Sequence, residues 1–404
     1  MSGTQAQRSK LSTPIPRTVW ALGLVSFFMD ASSETIHALL PLFLTTTLGV
    51  SVAVVGLIDG IAEATAAIAK VFSGYFSDRT GKRKPLILFG YGLAALTKPL
   101  FAIAGGPLTV FAARFADRIG KGLRGAPRDA LVADVTPFEI RGRAFGLRQA
   151  MDTAGAFAGP LLAIALMALF ANDMRAVFWV AVIPAALAVL CVLLGVEERA
   201  GGEAKQIARP PIRWSDWGQF KAGFWTLVAI GVAFTLARFS EAFLILKANA
   251  EGLPLVFAPL VLVVMNIVYA LGAYPAGALS DHVSSRALLI AGLAALILAD
   301  VVLAFVPGLP GAFMGIALWG GHMALTQGLL AKLVAEHAPE HLRGTAFGLF
   351  NLATGVALLL ASVLAGILWD QIGTQATFLA GAAFATTAGA LVLASQKLLT
   401  TPPR

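Results

Sequence analysis

Asp30, Glu34 and His37 fall at i, i+4 and i+7, which places them on one face of a helix. Counted along an apolar stretch over residues 19–47, both acids lie near its middle. A carboxyl held in an apolar slab suits a proton carrier, because burial opposes its charge and a nearby cation favours it. Two other readings stand beside that one. The acids could form a structural ion pair with Arg118 or Arg238, or the three side chains could take a divalent metal. Three ligands on one helix rarely close a coordination shell, so no resident metal and no cofactor is expected.

A second cluster is basic. Arg114, Arg118, Lys121, Arg124 and Arg128 step by three or four residues and form one stripe on a helix. Such charges must face a cavity, a carboxylate or the interface. Arg124 and Arg128 are equally well read as interfacial. Further polar groups inside apolar stretches are Asp59, Glu63, Lys70, Lys98, Arg148, Asp152, Arg238, Glu241, Asp300, His322 and Asn351. Arg148 and Asp152 are four apart and can satisfy each other. Asp59 and Glu63 sit near a helix end, within reach of solvent. Lys98 and Arg238 have no obvious local partner, which suits substrate or cross-helix contacts. With His37, Arg114 and Glu241 they are expected to line a substrate cavity.

The elements that carry these residues must be membrane helices. Of 404 residues, 58% are hydrophobic and 13% charged, with mean hydropathy +0.80. A soluble chain carries about 25% charged residues, so a soluble enzyme or a nucleic-acid protein is excluded. There is no Gly-x-x-x-x-Gly-Lys-Ser/Thr loop for ATP and no His-Glu-x-x-His, so no enzymatic activity is expected. At about 20 residues per crossing, the apolar segments give twelve spans: 19–47, 53–76, 86–105, 108–134, 144–170, 176–196, 222–247, 254–279, 287–306, 311–335, 345–369 and 375–396. Lys and Arg crowd the segments on the side of the termini, including residues 79–84 and 199–221, whereas the opposite loops hold only Arg175 and, at a helix end, Lys247. Both termini are therefore expected in the cytoplasm, in an inner (plasma) membrane. No cleavable signal peptide is expected before the first span. The lone Cys191 excludes an intrachain disulfide.

The chain repeats itself. Leu131-Val-Ala-Asp134, followed by Pro137, Arg141-Gly142 and Ala-Phe-Gly146-Leu147, recurs as Leu333-Val-Ala-Glu336 with Pro339, Arg343-Gly344 and Ala-Phe-Gly348-Leu349. Gly74-Tyr-Phe-Ser-Asp78 recurs as Gly277-Ala-Leu-Ser-Asp281, and Ser33-Glu34 has a counterpart in Ser240-Glu241. The expected organisation is a tail over 1–18, a six-helix bundle over 19–196, a polar linker over 197–221, a second bundle over 222–396 and a tail over 397–404. Two pseudo-symmetric halves of this kind suit a transporter with its site between them.

Gly74-Tyr-Phe-Ser-Asp78-Arg79-Thr-Gly81-Lys82-Arg83-Lys84 resembles the loop signature between helices 2 and 3 of the major facilitator superfamily, and the resemblance spans nearly the whole chain. It implies an all-α fold of twelve transmembrane helices that moves a solute by alternating access. In that family the loop is a latch; here Gly74, Asp78, Arg79, Gly81, Lys82 and Arg83 would hold it, with Asp129 or Asp134 as acid partners. Arg118-x-x-x-Gly122 resembles the fourth-helix motif of proton-coupled members, although Lys121 stands where Gln is usual. Gly146, Gly155, Gly159 and Pro160 resemble the fifth-helix motif of antiporters. The resemblance thus implies proton coupling through Asp30, Glu34, Arg118 and Asp152. It points to efflux of small amphipathic compounds by a monomer whose partners are solute, protons and lipid. Transport or uptake of an organic anion, such as a metabolite or siderophore, is the alternative, and a divalent metal ion a further one.

Overall fold

The structure, a computed structural model, describes residues 14–80, 82–197, 218–279, 283–326, 329–339 and 342–395. Most of the linker, both chain ends, Gly81 and Asp281 lie outside the described residues. The described residues contain helices and no strands. The longer helices are α1 (Arg17–His37), α2 (Val52–Thr80), α3 (Lys84–Ile103), α4 (Pro107–Val135), α5 (Arg141–Leu169), α6 (Met174–Gly195), α7 (Ala222–Leu236), α8 (Ala242–Ala250), α9 (Leu260–Leu279), α10 (Ser285–Phe305), α11 (Gly308–Thr326), α12 (Leu329–His337), α13 (Arg343–Gln371) and α14 (Thr374–Ala394). Among the described residues, eight helices are long and apolar enough to cross a membrane, and α7 is a shorter apolar one. The twelve-span expectation is therefore met only in part. The basic α4 is not among the eight.

Local chemistry sets the helix starts. The Asp173 carboxylate accepts from the Arg175 and Ala176 amides at the start of α6, at 2.9 and 3.3 Å. Ser284 caps α10 through the Ala287 amide. Two segments expected as continuous spans are interrupted. The first stops at His37, resumes over Leu40–Leu42 and ends in a π-turn over Phe43–Thr47. Pro41, which cannot donate to the preceding turn, accounts for the break. The seventh breaks between Leu236 and Ala242, where neither Gly nor Pro is present. There Ser240 takes the backbone bonds that a helix would otherwise make: its Oγ accepts the Ala242 amide and its own amide donates to Ser362 Oγ, both at 3.2 Å.

The chain forms two compact units. The first comprises Met1–His37, Ala69–Ala104 and Leu108–Arg209; the second comprises Ala38–Ile68, Gly105–Pro107 and Pro210–Arg404. In the first, α1 packs on α5 and α6, and α3 on α6, around Leu22, Val25, Met29, Ile87, Tyr91 and Val192. In the second, α10 packs on α11 and α14, while α13 and α14 pack on α7. Phe224, Leu227, Leu289, Val334 and Leu349 belong to its core.

Candidate functional site

A buried ionic network lies where α3 and α4 meet α1. Gly90 and Gly120 let α3 and α4 touch backbone to backbone: a Cβ on Gly120 would lie 2.5 Å from the Gly90 carbonyl oxygen. Below this crossing Lys98 Nζ donates to Asp117 at 2.8 Å and to Ser33 Oγ at 2.9 Å. Arg118 Nε lies 3.5 Å from the other Asp117 oxygen. Lys98 is 1% exposed, Asp117 4%, and Arg114 and Arg118 2% each. Lys98, expected in a substrate or a cross-helix contact, makes the cross-helix one and is buried. Its partner stands 19 residues away on the next helix, a pairing that periodicity along one helix cannot reveal.

The acids of α1 occupy two levels. Glu34 lies 3.3 Å from His37 Nδ1, with Lys121 and Arg118 within electrostatic reach. Closer to the helix start, Asp30 lies against Asp152 of α5. Arg128 ties this level together. Its Nη1 donates to Ser26 Oγ at 3.0 Å, to the Tyr91 hydroxyl at 3.3 Å and to Asp152 at 3.5 Å, and its Nε donates to Asp129 at 3.2 Å. Arg148 approaches Asp152 at 3.6 Å and Asp129 at 3.7 Å, so the i, i+4 pair is part of a larger cluster. Arg124 stacks on the Tyr91 ring, 4.4 Å from its centroid. Arg124 is buried, and Arg128 is bound to acids of two helices. Tyr91, which joins both arginines, carried no signal in the sequence. Among the described residues no three His, Cys, Asp or Glu side chains are placed to hold a metal.

The fifth-helix motif sets the distance between these acids. A Cβ on Gly155 would lie 2.4 Å from the Phe27 carbonyl oxygen, and one on Gly159 would lie 2.7 Å from Glu34 Cβ. Thr35 Oγ1 bonds the Gly159 carbonyl at 3.0 Å. Gly146 is different: a Cβ there meets nothing within 4 Å. Gly155→Ala should therefore cost about 1–3 kcal/mol through overpacking, while Gly146→Ala should stay within about 0.5 kcal/mol. Thermal unfolding of the purified variants in detergent distinguishes them; equal midpoints would remove the close-packing role.

At the α2–α3 loop, Arg83 Nε donates to Asp134 at 2.6 Å and its Nη1 to Ser77 Oγ at 2.8 Å. Of the two expected acid partners, Asp134 takes Arg83, whereas Asp129 pairs with Arg128 and Arg148. Gly74 faces Ala126 of α4 in ordinary contact. The side chains of Asp78 and Arg79 lie outside the described residues. In the second unit, Arg238 stands in the break between α7 and α8, with Glu241, Tyr269 and His322 in electrostatic reach.

A helical chain with interrupted spans and a charged interior defines a polytopic membrane protein. The sequence pattern of the Major Facilitator Superfamily matches residues 22–354 and 252–404. An uncharacterized MFS-type transporter of Methanocaldococcus jannaschii is 30% identical over 385 residues, covering 94% of this chain and 95% of that protein. The multidrug resistance protein MdtH of Edwardsiella ictaluri is 33% identical over 132 residues, a third of each chain. The fold is similar to that of a bacterial homolog of the human lysosomal transporter Spinster, with a TM-score of 0.75 at 16% identity over 96% of this chain and 98% of that one. The chain belongs to the Major Facilitator Superfamily of membrane transporters.

Proposed function

We propose that the protein exports small amphipathic organic compounds in exchange for protons. In this reading it works by alternating access across an inner membrane, with twelve spans and both termini inside. The observation that carries the reading is the pair Asp30 and Asp152, which joins α1 to α5 beside Arg128 and Arg148. Carboxyls on two neighbouring helices offer a proton a place to bind. Any motion of α1 against α5 changes that contact, so proton occupancy and conformation are linked. Similarity of one third of the chain to a multidrug resistance protein supports the direction of transport.

An organic anion is the second reading. It is favoured by the basic excess of the polar core, where Lys98, Arg114, Arg118, Lys121, Arg124, Arg128 and Arg148 outnumber Asp30, Glu34, Asp117, Asp129 and Asp152. Proteoliposomes carrying a pH-sensitive dye decide between them. Proton movement on adding cationic or neutral amphiphiles supports export by exchange, and movement confined to carboxylate solutes supports the second reading. No proton movement with either panel rules out proton coupling.

The Arg83–Asp134 contact is the candidate inner latch in this cycle. Asp78→Asn should lower transport with membrane insertion unchanged, as read by initial rates normalised to protein in the membrane. Parent rates at parent expression would remove the latch.

A further inference from the structure

The α2–α3 loop is not the only place where α2 is held. At the opposite end of α2, Val52 and Ala53 present the unpaired amides of a helix start. The Asp370 carboxylate accepts from both, at 3.2 and 2.8 Å. Asp370 stands in the last turn of α13, where its charge opposes its own helix dipole, and it gains by facing the start of α2 instead. Nearly two turns further along α2, Asp59 is 3% exposed and accepts the Ser240 hydroxyl at 2.8 Å. This corrects the expectation that solvent reaches Asp59. Ser240 is also the residue that bridges the α7–α8 break, and its amide donates to Ser362 of α13.

Between these two polar contacts the helices meet through a glycine seam. A Cβ on Gly56 would lie 2.2 Å from the Ser362 carbonyl oxygen, and one on Gly60 would lie 3.1 Å from Leu359 Cα. On the other side, a Cβ on Gly366 would lie 2.6 Å from Ala53 Cα. Close contact of this kind is either made fully or lost when helices part, because no long side chain spans a gap. All of these residues belong to the second compact unit.

We propose that Asp370 and Asp59 form an outer latch. Together they hold the start of α2 on α13 and on the α7–α8 break, keeping the outer side shut, and both contacts must release before that side can open. The proposal rests on the alternating-access reading but not on proton coupling. It assigns Ser240 a specific role: a single side chain that caps the start of α8 and also holds α2, so that the break and the latch move together.

The test measures distance. Spin labels are placed on Ser51→Cys and Ile372→Cys, both exposed, in a Cys191→Ser background of the full chain in nanodiscs. Asp59→Ala leaves the half-buried Ser240 hydroxyl without this acceptor and should raise the long-distance population about tenfold. Asp370→Ala removes an exposed cap and should raise it about threefold; Asp370→Glu should restore the parent distribution. Because Asp370 is exposed, its variant keeps the measurement available even where Asp59→Ala fails to fold. Parent-like distances in Asp370→Ala, or a shift that Asp370→Glu does not reverse, overturn the latch. Shifted and restored distances without any proton movement in liposomes sustain the latch and sink the coupling reading instead.

Discussion

Glu34→Gln should bring the accumulation ratio for transported solute to about 1, because without a coupled proton no gradient can be sustained. Downhill exchange should persist. The amide is the same size as the carboxyl and can still bond His37, which lies 3.3 Å away, so the packing of α1 against Gly159 is kept. What is lost is a group that can cycle between charged and neutral forms inside the membrane. Asp30→Asn is the companion variant, because Asp30 shares its contact with Asp152 on the level below. Counterflow and uphill uptake measured on the same vesicles separate the two effects. Full accumulation in both variants would remove α1 from the coupling path.

The second large effect is expected in stability. Asp117 receives Lys98 Nζ at 2.8 Å and lies 3.5 Å from Arg118 Nε, all three being nearly inaccessible. Removing one member of a buried pair costs about 3–5 kcal/mol, since the remaining charge is left without compensation. Asp117→Asn should fall at the upper end, because buried Lys98 loses its acid and Arg118 loses one of the acids near it. Lys98→Met should cost less, because Arg118 remains beside the acid. The double variant should recover part of the loss, and the coupling read from that cycle measures the pair itself. Unfolding midpoints in detergent provide the measurement. If Lys98→Met proves the more damaging change, the acid is not the hub of the network.

The sequence announced elements better than partners. The loop at residues 74–84, the glycines of α5 and the acids of α1 follow local spacing, and local spacing is what a helix converts into a face. Arg83 does find Asp134, and Gly155 and Gly159 do pack on α1. Solvent does not reach Asp59, and the identity of the Lys98 partner is not legible, because Ser240 and Asp117 lie elsewhere in the chain and follow no spacing rule. The break at residues 237–241 was hidden for a related reason. It contains neither Gly nor Pro, and the bonds that sustain it come from Ser362, more than a hundred residues away. Asp370 offered one readable signal, an acid at the end of its own helix, where it is electrostatically misplaced unless another helix begins beside it.

The composition of α4 has a consequence for how the protein is made. A translocon tests each emerging segment against lipid, and each Arg, Lys or Asp near the centre of a helix costs about 2.5–3.5 kcal/mol in that test. With Arg114, Asp117, Arg118, Lys121, Arg124 and Arg128 in one helix, α4 cannot partition into the bilayer alone. Lys98 of α3 and the hydroxyls of Ser26 and Ser33 of α1 must already be in place as it emerges, and Asp152 of α5 joins afterwards. On the twelve-span reading, biogenesis should therefore have an order, in which α4 enters the membrane by docking onto the polar groups of α1 and α3.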